Sequence, residues 1–148
     1  MNILGDLMSS LNKIINRKIL VGIPMEERNS QKATNAEKLY YNSMGSPLKK
    51  IPSRKVLEPA IEDKLDEIGF ELNKGVVMGL VAGEEEMDKA YNRAGLMAQQ
   101  ACVNWFDNPK NNWAPNAPYT IKQKGSDSPL IDTGEMRKSI TYIIEDKK

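Results

Sequence analysis

Two helical repeats placed end to end constrain this chain more than any other feature. Leu57, Ile61, Leu65, Ile68, Leu72, Val76 and Leu80 follow one another at steps of three or four residues. That period puts all seven on one stripe of a single long helix. Pro59 falls in its first turn, where a missing N–H costs little. Gly69, Gly75 and Gly79 interrupt its later turns, and each costs roughly 1 kcal/mol relative to alanine in a helix interior. Such glycines point to close backbone approach to another element, or to a frayed C-terminal half. Ala82-Gly83 breaks the pattern, and Glu84, Glu85 and Glu86 then suit the positive end of a new helix dipole. The second repeat, Met87, Tyr91, Ala94, Ala98, Ala101 and Trp105, has the same spacing. Two amphipathic helices joined by so short a turn form an antiparallel hairpin. Ala94, Gly95, Ala98 and Ala101 let the axes approach closely. Tyr91, Cys102 and Trp105 read as core residues before they read as reactive or ligand-binding ones.

The remaining segments are shorter. Ile3, Leu4, Leu7, Met8, Leu11, Ile14 and Ile15 repeat at helical spacing. Their opposite face carries Ser and Asn rather than Lys and Arg, so packing on protein suits this helix better than a membrane surface. Ile19 to Pro24 is β-branched and stopped by proline, a buried strand. Thr34 or Asn35 caps a helix through Tyr41, with Gly45 at its C-terminal end and Pro47 beyond. Leu48 to Lys55 form a connector, Asn108 to Tyr119 a loop, and Thr120 to Lys124 a short strand or turn. Asp132 and Glu135 have capping-box spacing ahead of one helical turn. Ile140, Tyr142 and Ile144 alternate as a closing strand. The expected fold is therefore α+β, a long antiparallel helical hairpin packed on a small, mostly antiparallel sheet. That sheet draws on the strands near residues 21 and 140 and on one or two others. Residues 1–18 form an N-terminal amphipathic helix, and residues 19–148 form a single domain.

Composition narrows the chemistry. The 148 residues include no histidine and one cysteine. An intrachain disulfide, a His/Cys zinc site, a Ser–His or Cys–His nucleophile and a histidine general base are all excluded. No apolar run approaches the ~20 residues of a membrane helix. The first residues lack a basic secretory n-region, so a signal peptide is not expected. A soluble chain of a reducing compartment is what remains.

The net charge of +1 hides a polarity. Residues 1–56 carry a local +6, residues 57–86 a local −7, and residues 87–148 a local +2. The acidic block reads as a solvated helix face, or as one half of a contact between subunits. The charges that such a contact would use are Lys49, Lys50, Arg54 and Lys55 on the basic side. On the acidic side they are Glu62, Asp63, Asp66 and Glu67. A head-to-tail contact of two different patches generates rings.

Few constellations carry chemistry. Asp132-Thr133-Gly134 is similar to the Asp-Thr-Gly of aspartic proteases. A dyad, however, needs a second such Asp, and charged residues follow Gly134. Glu84 to Glu86 with Asp88 could hold a hard cation weakly, though a solvated helix start accounts for them. Lys124-Gly125-Ser126 lacks the glycine spacing of a phosphate loop. No metal or cofactor is expected. A dimeric hydrolase using Asp132, and a nucleic-acid module using Lys49 to Lys55, stand as alternatives.

The C-terminal block runs Trp113-Ala114-Pro115-Asn116-Ala117-Pro118-Tyr119-Thr120-Ile121, then Lys124 through Pro129-Leu130-Ile131-Asp132-Thr133-Gly134 to Ser139-Ile140. It resembles the signature of tailed-phage neck and tail-completion proteins. Val21 to Pro24, Asn35 to Pro47 and Ile51 to Arg54 resemble that family's first strand, first helix and connector, in the same order. The likeness spans roughly residues 19–144. Lys55-Val56 and Ser43-Met44 depart from it, where the family has Pro with an aromatic and an acidic-aromatic pair. The resemblance implies a structural virion protein, not an enzyme. It implies a homo-oligomeric ring, hexameric or dodecameric, at the head–tail junction. Its partners would be other neck, connector and tail-tube proteins, with DNA passing through the lumen and no membrane. It would sit in the virion neck, and in the host cytoplasm during assembly. Thr120, Lys124, Pro129, Leu130, Asp132, Thr133, Gly134 and Ser139 would shape the turn that positions the final strand and the assembly surface.

Overall fold

A computed structural model describes residues 2–26, 31–125, 129 and 134–147. The elements run α1 (Ile3–Asn16), β1 (Arg17–Gly22), α2 (Asn35–Met44), α3 (Leu57–Asp63), α4 (Leu65–Ala82) and α5 (Glu84–Trp105). A 3-10 turn (Pro109–Asn111), α6 (Pro118–Lys124), α7 (Glu135–Lys138) and β2 (Thr141–Asp146) follow. The class is α+β, with α4 and α5 packed as an antiparallel hairpin over a small antiparallel sheet.

The hairpin turns on one residue. Gly83 ends α4 and begins α5 with φ 106° and ψ 175°, a conformation that residues with a Cβ strongly avoid. Two glycines of α4 then let the axes close. Cβ atoms built on Gly75 and Gly79 would fall 1.8 Å from Ala90 Cβ and 2.7 Å from Met87 Cβ. Close approach is therefore what these glycines supply, while Gly69 has nothing within 4 Å. Gly95 serves a different contact, because it lies beneath the ring of Tyr142 in β2. Ala94 and Ala98 do face the hairpin partner, sharing a buried cluster with Ile68.

The expected single helix from Leu57 to Leu80 is two helices. Lys64 leaves the helical region, at φ −112° and ψ 9°, and its N–H reaches back to Ile61 O at 3.2 Å. No Pro or Gly marks the break. Asp63 beside it is tied to Lys110 at 2.8 Å, which anchors α3 to the segment after α5. The break shifts the buried stripe. Ile68 stays inside, while Leu65 and Leu80 are exposed and Gly75 and Gly79 take the inner positions.

Among the described residues the sheet has two strands, not three or four. β1 and β2 pair antiparallel from Arg17 opposite Asp146 to Gly22 opposite Thr141, so the two ends of the chain close on each other. A lone two-stranded ribbon is marginal in water; this one rests on α5. Ile19 and Val21 point inward, and Leu20 and Ile143 outward as a cross-strand pair. Arg17 locks the base of the ribbon. It bonds Asp146 at 2.9 Å, pairs with Asp88 of α5 and lies 5.3 Å over the Tyr91 ring.

Residues 120–124 lie in α6, whose first position is Pro118, so the strand or turn expected there is a helix. The 108–119 loop contains the 3-10 turn and the start of α6. The main core gathers Leu39, Val56, Ala60, Cys102, Trp105, Phe106, Met136 and Ile140. α1 buries no residue. It touches α4 and is pinned by Lys13 to Glu84, leaving Ile3, Leu4, Met8 and Ile15 open to solvent.

Candidate functional site

A cleft of about 850 Å³ opens between α2, the connector 49–54, the segment 115–124 and the start of α7. Its titratable lining is Lys38, Lys49, Lys50, Arg54, Lys124 and Glu135. Five cations against one carboxylate make it the basic pole of the described molecule.

Each wall follows from local sequence. Thr34 and Glu37 form a reciprocal capping box. Thr34 Oγ1 accepts from Glu37 N at 3.2 Å, and Glu37 Oε2 accepts from Thr34 N at 2.8 Å. The cap fixes where α2 begins, and spacings of three and four then turn Asn35, Lys38 and Asn42 toward the cleft. Gly45 ends the helix at φ 66°. Ser46 and Ile51 exchange two backbone hydrogen bonds, at 2.8 and 2.9 Å. They fold Pro47 to Lys50 into a tight excursion whose last residue, Lys50, has φ 55°. Lys49 and Lys50 are thereby held at the rim.

Arg54 forms part of the wall. Its backbone N–H donates to Asn42 O at 2.8 Å. Its guanidinium donates to Ala114 O from Nε and Nη2, and to Pro115 O at 3.2 Å. The residue is 7% exposed, no carboxylate among the described residues pairs with it, and burial pulls its pKa below the ordinary guanidinium range. A buried cation without a counter-ion is costly unless hydrogen bonds or an external anion compensate it. Asn116, beside it, is 8% exposed, and its Nδ2 has no hydrogen-bond partner among the described residues. On the far wall, Asn35 Nδ2 donates to Ser139 Oγ at 2.9 Å, and Ser139 Oγ donates to Glu135 O at 2.7 Å. These bonds tie α2 to α7.

The structure thus brings two separate sequence expectations together. Thr120, Lys124 and Gly134 line the same cleft as Lys49, Lys50 and Arg54, and Ser139 braces it from behind. Pro129 is half-buried outside the lining, while Leu130, Asp132 and Thr133 lie outside the described residues. Gly134, at φ 78°, is the residue that precedes α7. The basic patch changes in membership. Arg54 is a buried wall residue rather than a surface charge. Lys55 turns away to Glu58 at 3.3 Å and lends its carbonyl to Trp113 Nε1.

Of the four acidic positions, Asp63 and Glu67 are taken by Lys110 and Lys64. Lys110 holds the Asp63 carboxyl below its ordinary range. Glu62 and Asp66 are exposed and make no ion pair among the described residues. Lys38, Asn35, Asn42 and Asn116 were not among the site residues expected from the sequence. The first three share a helical face, which spacing alone could have revealed. Asn116 had no signal beyond its proline-flanked loop.

The donors that the described residues bring to the cleft suit the recognition of anionic groups. Among the described residues no helix is long and apolar enough to cross a membrane. Compared with protein-family models, curated proteins and solved structures, the chain matches none of them.

Proposed function

We propose that this chain is a structural subunit of a tailed phage, forming a ring at the head–tail junction that completes the tail or joins it to the capsid connector. The observation that carries the reading is the ordered series of sequence blocks at 21–24, 35–47, 51–54 and 113–140. Their placement supports it: residues from the last three, far apart in sequence, line one cleft. Two surface features support it as well. α1 carries an apolar stripe open to solvent, and α4 exposes Phe70, Val77 and Val81. Apolar surface of this kind marks sites of association. On this reading the protein works by contact, with itself and with neck, connector and tail-tube proteins, and uses no cofactor.

The test is direct. Native mass spectrometry and electron microscopy of the purified protein should show a closed ring, hexameric or dodecameric. Phage lacking the gene should accumulate unjoined heads and tails. A protein that stays monomeric at every concentration, together with joined virions in its absence, overturns the proposal.

The lysines of the cleft favour one other reading, a nucleic-acid module. It requires binding that weakens steeply with salt and that is lost when Lys49 and Lys50 are reversed in charge.

A further inference from the structure

We infer that the basic cleft of one copy receives the acidic ridge at the α3–α4 junction of the next copy, an inference that rests on the ring reading above. Most carboxylates of the described residues are already engaged within the chain: Glu58, Asp63, Glu67, Glu71, Glu84, Asp88, Asp107 and Asp146 all have cationic partners. Glu62 and Asp66 do not. They lie four residues apart on either side of the break at Lys64, and both are exposed. Between and beyond them Leu65 is 56% exposed and Phe70 68% exposed. The break itself creates this ridge, because a continuous helix would have kept Leu65 in the buried stripe.

The cleft offers the complement. Lys38, Lys49 and Lys50 line it without an ion pair among the described residues, and the buried Arg54 adds charge that no carboxylate among those residues offsets. Ile51 and Pro52 lie among these cations and give the exposed Leu65 and Phe70 an apolar footing. The ridge and the cleft share no residue. On the ring reading their contact is heterologous, the kind that passes from copy to copy and makes a ring where the rotation closes. Exposed charges a Debye length apart are screened by salt, so the contact depends on ionic strength.

The experiment exploits that geometry. Lys49→Glu with Lys50→Glu puts two carboxylates at the cleft rim and cancels its net positive charge, and Glu62→Lys with Asp66→Lys makes the ridge basic. All four positions are exposed, so each variant should keep the wild-type circular dichroism and melting temperature. Each variant alone should be monomeric by native mass spectrometry where wild type forms rings. A 1:1 mixture should reassemble, with the two variants in equal number in every ring. Raising salt from 50 to 500 mM should weaken wild-type assembly at least tenfold.

Wild-type rings accompanied by normal rings from each variant alone would overturn this contact and leave the ring reading standing. A wild-type protein that is monomeric throughout would overturn both. Loss of binding to a double-stranded DNA probe in the Lys49→Glu, Lys50→Glu variant, with its ring intact, would assign the cleft to nucleic acid and overturn the contact alone.

Discussion

Gly75 of α4 faces Ala90 of α5 so closely that a Cβ built on the glycine would stand 1.8 Å from the alanine Cβ. Neither atom belongs to a flexible side chain, so no rotamer change relieves the overlap. Helix propensity favours alanine over glycine by roughly 1 kcal/mol, but overpacking a tight contact costs about 1–3 kcal/mol. Gly75→Ala should therefore destabilise by up to about 2 kcal/mol net. Gly69 has open space where its Cβ would go, so Gly69→Ala should stabilise by about 0.5–1 kcal/mol. Urea unfolding of the two variants should give shifts of opposite sign.

Thr34 organises the first wall of the cleft through its reciprocal bonds with Glu37. Removing an N-cap hydroxyl costs about 1 kcal/mol. Thr34→Ala should lose about that much stability and Thr34→Ser only a few tenths. Hydrogen exchange should speed up in the first turn of α2, including at Glu37 N, and leave α5 unchanged.

Arg54 tests geometry against charge. Its fork holds two successive carbonyls, Ala114 O and Pro115 O, and a lysine ammonium cannot reproduce that planar arrangement. Arg54→Lys keeps the charge yet should lose roughly 1–3 kcal/mol. Amide exchange at Asn116 and Ala117 should rise before any change in the hairpin. A variant with wild-type stability would remove Arg54 from its place in the cleft wall.

Cys102 is fully buried, and burial raises its thiol pKa from 9.0 to about 11. In the unfolded chain the thiol ionises near its ordinary value, while in the fold it keeps its proton. Its contribution to stability is therefore complete below about pH 9 and is lost as pH rises toward 11. The loss should be of the order of 3 kcal/mol, on the basis of about 1.4 kcal/mol per pKa unit. Cys102→Ala should show a shallower alkaline slope than wild type. A thiol reagent at pH 8 should label the native protein only as fast as it unfolds.

The parts of this fold that were legible in the sequence share one property: their signal is local. Of the stripe Met87, Tyr91, Ala94, Ala98, Ala101 and Trp105, all but the half-buried Ala101 are buried as the spacing predicts, because α5 is packed by α4, α3 and the ribbon in turn. Gly83 and Gly45 end helices where their backbone freedom is needed. The break at Lys64 was invisible because no Pro or Gly marks it; the residue beside it, Asp63, is tied to Lys110 across 47 residues. Residues 120–124 became a helix rather than a strand through Pro118 at its first position and Gly125 at its end. Both signals were in the sequence, but loop composition outweighed them. The cleft was half legible. Lys49, Lys50, Thr120 and Lys124 stood out as two unrelated groups, and only the packing of α2 against α7 through Asn35 and Ser139 makes them neighbours.

The exposed stripe of α1 separates folding from assembly. Ile3, Leu4, Met8 and Ile15 are 60–73% exposed, so they add little to the stability of a single copy. Polar substitutions at such positions usually change stability by less than about 0.5 kcal/mol. Leu4→Ser with Met8→Ser should leave the melting temperature of the monomer within about 2 °C of wild type, given the few degrees expected per kcal/mol. If the stripe seats on a neighbouring copy, the same double variant should shift the ring equilibrium toward monomer by tenfold or more in sedimentation. The variant's loss should be the same at low and high salt, because an apolar contact is not screened. A variant that assembles as wild type does would place α1 outside the contacts between copies.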